Sequence, residues 1–152
     1  MGSEVSADTG GFRAGGDRTD DVLALVERVV LGWPGVWKKR DEDGPGGVGV
    51  TGYRLGRKQI GHVHDDGHAD FRFPKEVRDG LIRSGKATAH PAFPNSRTTA
   101  SYRVRGEEDV PGALQLFKMN YERLKEAAER KAERVADGRE KNPQETGRRS
   151  LS

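Results

Sequence analysis

The sequence predicts an α+β domain in which a single antiparallel β-sheet packs against flanking helices, the last of them long. Short strand-like segments follow one another through the middle of the chain, separated by turns rich in glycine, aspartate and proline. Segments with the apolar periodicity of helices lie before, among and after these strands. The apolar residues cluster between Val22 and Leu124, so we expect one domain with one core among the 152 residues.

Three helices are predicted. The first begins at Thr19, which offers an N-cap, and ends before Gly32. The second covers 74–84, where proline stands at the first helical position and glycine follows the last. The third is long and begins at Glu107. Its apolar residues recur at steps of three and four positions: Val110, Leu114, Phe117, Tyr121, Leu124, Ala128 and Val135.

The predicted strands are joined by turns that reverse the chain, so neighbouring strands run antiparallel. Between two of them, Gly56-Arg57 places glycine first, which is the pattern of a type II′ hairpin turn. The strands cover 35–40, 48–55, 58–64, 69–73, 86–90 and 98–105.

The composition divides the chain into three parts. Residues 1–18 contain several glycines and almost no apolar side chains, which predicts a disordered arm. Residues 19–124 form the α+β domain. Residues 125–152 alternate basic and acidic side chains, which predicts a charged helical extension into solvent and a flexible tail.

The composition also excludes several kinds of function. The chain has no cysteine, so disulfides, thiolate metal sites and a cysteine nucleophile are ruled out. No apolar run is long enough for a membrane span and the N-terminus has no apolar signal core, so we expect a soluble, cytoplasmic protein. The net charge of +3 is small for a chain with 34% charged residues, so nucleic-acid binding is not expected.

One glycine-rich segment matches the G-x-G-x-x-G pattern of dinucleotide-binding loops: Gly47-Val48-Gly49-Val50-Thr51-Gly52. That pattern binds pyrophosphate only where a helix begins directly after it, because the helix N-terminus holds the anion. Here the next residues continue a predicted strand into a hairpin. We therefore predict no nucleotide site and interpret the glycines as bulge or packing positions.

The most concentrated polar chemistry lies in the segment 61–70. His62 and His64 point to the same face of one strand because side chains alternate. His90 joins them if its strand is a neighbour. Such histidines can bind a metal, polarise a substrate, shuttle a proton or form a hydrogen-bonded surface with nearby aspartates. We favour a substrate-facing set without a metal. Charged imidazoles at one site repel one another, so at least one pKa should lie below about 6.5.

The same region resembles the luciferase-domain family, small bacterial and fungal proteins named after the luciferase of bioluminescent fungi. The resemblance spans residues 22–124. It departs after Pro94, where many relatives have Ser-Gly-Trp and this chain has Asn95-Ser96-Arg97-Thr98-Thr99. The segments that carry it are Gln59-Ile60-Gly61-His62-Val63-His64, Ala69-Asp70-Phe71-Arg72-Phe73-Pro74, Val77-Arg78-Asp79-Gly80-Leu81-Ile82, Gly85-Lys86-Ala87-Thr88-Ala89-His90, Glu107-Glu108-Asp109-Val110 and Asn120-Tyr121-Glu122-Arg123.

The resemblance implies an oxidation. The family's named member oxidises a hydroxylated pyrone with molecular oxygen and needs no metal or organic cofactor. On that basis the catalytic residues expected in this chain are His62, His64 and His90, acting as acid, base or oxyanion-stabilising groups.

Two functions are predicted as alternatives. In the first, the protein binds or oxidises a small phenolic or pyrone-like molecule in a pocket lined by the three histidines, without a cofactor. Asp70, Phe71 and Phe73 then contact the substrate. In the second, the protein is not an enzyme and binds a partner, or a second copy of itself, through the C-terminal helix. Histidines that converge in a concave, partly apolar pocket would favour the first.

Overall fold

A computed structural model of the protein describes residues 15–138. These residues form a five-stranded antiparallel sheet and three α-helices, which confirms the predicted α+β class. The disorder predicted for residues 1–14 and for the tail lies outside the described residues. The helices are α1 Gly15–Leu31, α2 Lys75–Arg83 and α3 Val110–Ala136, and the strands are β1 Val36–Asp41, β2 Val50–Leu55, β3 Lys58–His64, β4 His68–Arg72 and β5 Thr99–Arg103.

The sheet is a meander in which each strand pairs with the next, in the order β1-β2-β3-β4-β5. Gly56, in the turn between β2 and β3, has a φ of 62°, a conformation that favours glycine. The glycine-rich segment leads into β2, which continues to Leu55 without a helix. The dinucleotide pattern therefore lacks the structural context that its chemistry requires, as predicted.

The strand predicted over 86–90 is wrong. The first two amides of this segment both donate to the carbonyl of Leu81, at 2.9 and 3.3 Å, so the chain wraps the end of α2 instead of joining the sheet. Only Thr88 pairs with the sheet, in an isolated bridge to Ser101 of β5. The segment is thus a loop that is tied to β5 at one point, shortly before His90.

All three helices begin at positions that differ from the prediction, α2 by only one residue because Pro74 is its N-cap. α1 begins at Gly15, so residues 15–18 belong to the helix rather than to the arm, and Thr19 is not its N-cap. Glycine disfavours a helix by only about 1 kcal/mol relative to alanine, which a long packed helix tolerates. α3 begins at Val110, because Glu107–Asp109 form a separate 3₁₀ turn.

α1 and α3 pack together on one face of the sheet. Phe117 of α3 is fully buried, and its ring meets Tyr53 and Phe71 edge-on at centroid distances of 5.5 and 4.7 Å. β3 passes beneath these rings at Gly61, where a Cβ atom would lie 2.7 Å from Phe71 and 3.0 Å from Phe117. The missing side chain at Gly61 therefore allows the helix to approach the sheet closely.

A β-bulge at Ile60 sets which face of β3 carries the histidines. The register between β2 and β3 shifts there, so Ile60 is an extra residue on β3. Asn120 of α3 donates to the Ile60 carbonyl at 2.7 Å and so provides a partner for the backbone at the bulge. Beyond the bulge Gly61 packs against the helices, whereas His62 and His64 face the opposite side of the sheet.

The second half of α3 extends beyond the packed domain. Residues 128–138 are exposed, and Val135 is 55% exposed. Its use as a partner-binding surface stays a prediction. None of the helices within residues 15–138, α3 included, is long and apolar enough to cross a membrane.

Candidate functional site: four histidines around Asp70

All four histidines of the chain surround one carboxylate on the face of the sheet opposite α1 and α3. Asp70 lies in the middle of β4, and its side chain is only 6% exposed. The Nε2 atoms of His62 and His68 lie 3.0 and 2.9 Å from its oxygens. Those of His90 and His64 lie 3.5 and 3.6 Å away. The four rings therefore direct their Nε2 atoms toward one acidic group.

Strand pairing brings most of these groups together. His62 of β3 pairs with Asp70 of β4, and Asp70 pairs with Ser101 of β5, so the three residues form a row across the sheet. His64 follows His62 by two residues, and His68 precedes Asp70 by two. Because side chains alternate along a strand, both lie on the face that carries the row.

His90 reaches the cluster from the loop after α2. The bridge between Thr88 and Ser101 ties this loop to β5. The imidazole of His90 packs against Phe93 at a ring-centroid distance of 5.0 Å, and its Nδ1 accepts a hydrogen bond from the Ala92 amide at 3.0 Å. A backbone bridge and a local turn therefore hold the ring in place.

Asp70 accepts hydrogen bonds from three donors. The Ser101 hydroxyl donates to Oδ1 at 2.6 Å, and His68 donates to the same oxygen. His62 donates to Oδ2. Because an ionised carboxylate only accepts, both of these histidines carry a proton on Nε2 in this arrangement. The His64 ring makes no hydrogen bond to another residue of the described part of the chain.

Charge and burial shift the pKa values of two groups of the cluster, Asp70 and His64. Burial alone would raise the pKa of Asp70, but hydrogen bonds from His62 and Ser101 and the charges of His68 and His62 hold that pKa well below its usual range. Burial, and after it repulsion from His62, lowers the pKa of His64. This direction agrees with the prediction of a lowered histidine pKa, but burial is a larger cause than the repulsion from which it was predicted.

His62 and His64 border an open groove of about 250 Å³ on the same face of the sheet. Part of its floor is Gly52, which lies opposite His62 on β2. Because Gly52 has no side chain, the Gln59 side chain lies across it and places its amide 3.0 Å from the Nδ1 of His62. The groove thus gives access to one half of the cluster, and Gln59 fixes the ring at its edge.

The lining of the groove combines apolar and charged groups, with more basic than acidic side chains. Val50 and Pro45 contribute apolar surface, Lys39 and Arg54 contribute positive charge, and Asp41 contributes a negative charge. The Arg54 guanidinium also lies over the ring of the exposed Trp37, 5.6 Å from its centroid. Such a lining suits a flat molecule that carries or develops a negative charge.

The structure brings His62, His64 and His90 together with Asp70, and their predicted catalytic roles stay predictions. It places Phe71 and Phe73 elsewhere, since both are 2% exposed in the core. Adjacent residues of a strand point to opposite faces, so Asp70 faces the histidines and Phe71 faces the helices. The structure therefore does not support the predicted contact of the two phenylalanines with a substrate.

Two members of the cluster were not among the predicted site residues. His68 stands two positions before Asp70, and strand alternation alone would have placed it on the same face. Ser101 has no comparable signal in the sequence, because its position beside Asp70 depends on the register between β4 and β5.

Two sets of residues within the cluster could hold a metal ion. The first is His62, His64 and Asp70, and the second is His68, Asp70 and His90. In each set the nearest nitrogen and oxygen atoms lie within 4.8 Å of one another. Neither set contains all four histidines, so the four rings do not share one centre.

Comparison with known proteins gives one match. A family model described as the luciferase domain matches residues 57–120, which confirms the resemblance predicted from the sequence. The matched segment contains all four histidines and Asp70. No curated protein and no solved structure matches the chain.

Proposed function

Because residues 57–120 match the luciferase-domain family, we propose that the protein binds a small phenolic or pyrone-like molecule and oxidises it with dioxygen. The observation that supports this proposal most is that His62 and His64 both contact Asp70 and border the groove. Ligand sites commonly measure about 300–1,000 Å³. The groove, at about 250 Å³, is slightly smaller than this range and therefore suits a small substrate.

In this proposal His64 accepts the proton of the substrate's hydroxyl group. Its ring lines the groove, and no other residue in the range 15–138 occupies it with a hydrogen bond. Once the ring is protonated, the Asp70 carboxylate, 3.6 Å from its Nε2, compensates the positive charge. Loss of the hydroxyl proton leaves an electron-rich anion, which is the form of a phenol or hydroxypyrone that gives electrons to dioxygen.

His62 and His90 support this step in different ways. His62 borders the groove and donates to Asp70, so it holds the carboxylate beside His64. His90 does not border the groove and acts through Asp70, toward which its Nε2 points at 3.5 Å. We therefore assign His90 to positioning.

The basic residues of the groove favour an anionic substrate. The Nε of Arg54 is buried and has no hydrogen-bond partner among the described residues. Lys39 lines the same groove and makes no ion pair with another residue of 15–138. Asp41 also lines the groove, but the two cations outnumber it, so a substrate oxygen that becomes negative would still be stabilised.

The alternative, a partner-binding module that uses the C-terminal helix, is less well supported. The histidines converge beside a concave, partly apolar groove, which is the feature expected of a small-molecule site. The exposed end of α3 carries one exposed large apolar residue, Val135, in its last turns. The small-molecule function is therefore preferred.

The test is oxygen consumption by the full chain with simple phenols and hydroxylated pyrones, with binding measured in parallel by calorimetry. We expect His64→Gln to slow oxygen consumption by about 10²–10⁴-fold, as loss of a general base does. Glu129→Gln, on the exposed part of α3, should leave the rate unchanged. Failure of every probe to bind at millimolar concentration, or an unchanged rate in His64→Gln, would contradict the proposal.

A further inference from the structure

We propose that His62, His64 and Asp70 bind a divalent transition-metal ion at the point where the cluster meets the groove. Ligand atoms about 2.1 Å from one ion lie roughly 3.0–4.3 Å from one another. The Nε2 atoms of His62 and His64 lie 3.0 and 3.6 Å from Oδ2 of Asp70, and all three ligand atoms lie within 4.8 Å of one another. The strands therefore hold each of the two imidazole nitrogens near Oδ2 of Asp70 at the spacing of two ligands to one ion.

The donor set indicates the class of ion. Two imidazoles and one carboxylate are the arrangement that binds ferrous iron in oxygenases and leaves other coordination positions open. Both histidines border the groove, so the open positions would face a bound substrate. We expect Fe²⁺ as the natural ion, with Co²⁺ as a spectroscopic substitute.

The surroundings of Asp70 suit a ligating carboxylate. Ser101 and His68 donate to Oδ1 at 2.6 and 2.9 Å, which fixes the carboxylate and leaves Oδ2 directed toward His62 and His64. Hydrogen bonds of this kind orient metal ligands and tune their affinity. Asp70 would therefore bind the ion through one oxygen.

Gln59 supplies the partner that a ligating His62 needs. A neutral imidazole that binds a metal through Nε2 carries its proton on Nδ1, and that proton needs an acceptor. The Gln59 amide lies 3.0 Å from Nδ1 of His62, and a half-turn of the amide presents its oxygen to the ring. The absence of a side chain at Gly52 leaves room for Gln59 in this position.

In the second set, which is His68, Asp70 and His90, the ring of His90 has no acceptor for a proton on Nδ1. Nδ1 of His90 accepts a hydrogen bond from the backbone amide of Ala92, which cannot turn to offer an oxygen. A neutral His90 therefore carries its proton on Nε2 and has no lone pair directed toward Asp70. This makes His90 a matched control for His64, since both rings lie at a similar distance from the same carboxylate.

This inference deepens the proposed function and rests on it for the role of the ion, although the ion itself binds without substrate. With the ion in place, His64 would be a ligand and would not accept the substrate's proton, and the ion would supply the stabilisation of the substrate's negative oxygen. The resemblance to the luciferase-domain family implies chemistry without a metal. A test of metal binding therefore distinguishes two roles for His62 and His64, as acid–base groups without a metal or as metal ligands.

The experiment uses the full chain, freed of metal by EDTA, desalted and titrated with Co²⁺ under visible absorption and calorimetry. We expect one equivalent to bind. His64→Gln and Asp70→Asn should each weaken binding by at least about 100-fold, and Gln59→Ala by about 10–100-fold. His90→Gln should weaken binding much less than His64→Gln does, because His90 supplies no ligand atom. Circular dichroism of each variant shows that the fold is retained.

Two results would overturn the inference: no Co²⁺ binding below about 1 mM, or equal losses in His64→Gln and His90→Gln. If oxygen consumption then persists in the presence of EDTA, the acid–base role of His64 stands without the ion. If instead Co²⁺ binds as expected but no phenol or hydroxypyrone binds, the metal site stands and the proposed substrate class does not.

Discussion

Phe117→Ala should lower the free energy of unfolding by about 3–5 kcal/mol, the range for removal of a buried aromatic side chain. Phe117 is fully buried and meets the rings of Tyr53 and Phe71 edge-on, contacts that add to the energy of burial itself. The substitution would leave a cavity above Gly61, which has no side chain to fill it. We therefore expect the upper part of that range.

Denaturant unfolding followed by far-UV circular dichroism measures this loss. Val135→Ala is the control in the same helix, because Val135 is 55% exposed and its truncation should change stability by no more than about 0.5 kcal/mol. A loss below about 1 kcal/mol for Phe117→Ala would contradict the packing of α3 against the sheet.

Asp70→Ala should lower the free energy of unfolding by about 3 kcal/mol, because buried donors lose their acceptor at about 1–3 kcal/mol each. Ser101 and His68 are the main contributors, since their groups point into the protein. His62 contributes less, because 31% of its side chain is exposed and the ring can turn to water. The substitution also removes the buried negative charge of Asp70, which offsets part of the loss in the free energy of unfolding.

The matched control is Asp43→Ala, which removes an exposed carboxylate that accepts no hydrogen bond within the described residues. Its unfolding midpoint should equal that of the unaltered chain. Equal stability of Asp70→Ala and Asp43→Ala in urea would show that the hydrogen bonds of Asp70 do not hold β3, β4 and β5 together.

The elements best predicted from the sequence are those whose signals are local. β3 has the predicted bounds, because the Gly56 turn and the turn before His68 limit it on both sides. The strand predicted over 86–90 failed because its first amides bond to Leu81, at the end of the preceding helix. That competition depends on how α2 ends in space, which the residue pattern of the segment does not contain.

The candidate site likewise contains residues that local patterns predict and residues whose position depends on the tertiary structure. Alternation along one strand predicted that His62 and His64 share a face, and the same rule applied to β4 would have added His68 and removed Phe71. The meeting of His90 with these residues could not be derived in this way. It depends on a loop bridged to β5, a contact between residues far apart in the sequence.

The central claim is that four histidines gather around Asp70, with His62 and His68 hydrogen-bonded to its carboxylate. Long-range ¹H–¹⁵N NMR of the EDTA-treated protein tests it directly, because it reports which ring nitrogen carries the proton. We expect protonated Nε2 atoms in His62, His68 and His90, and a change in the ring signals of all four histidines in Asp70→Asn. Four rings that exchange tautomers like free histidine, and that do not respond to Asp70→Asn, would contradict the cluster.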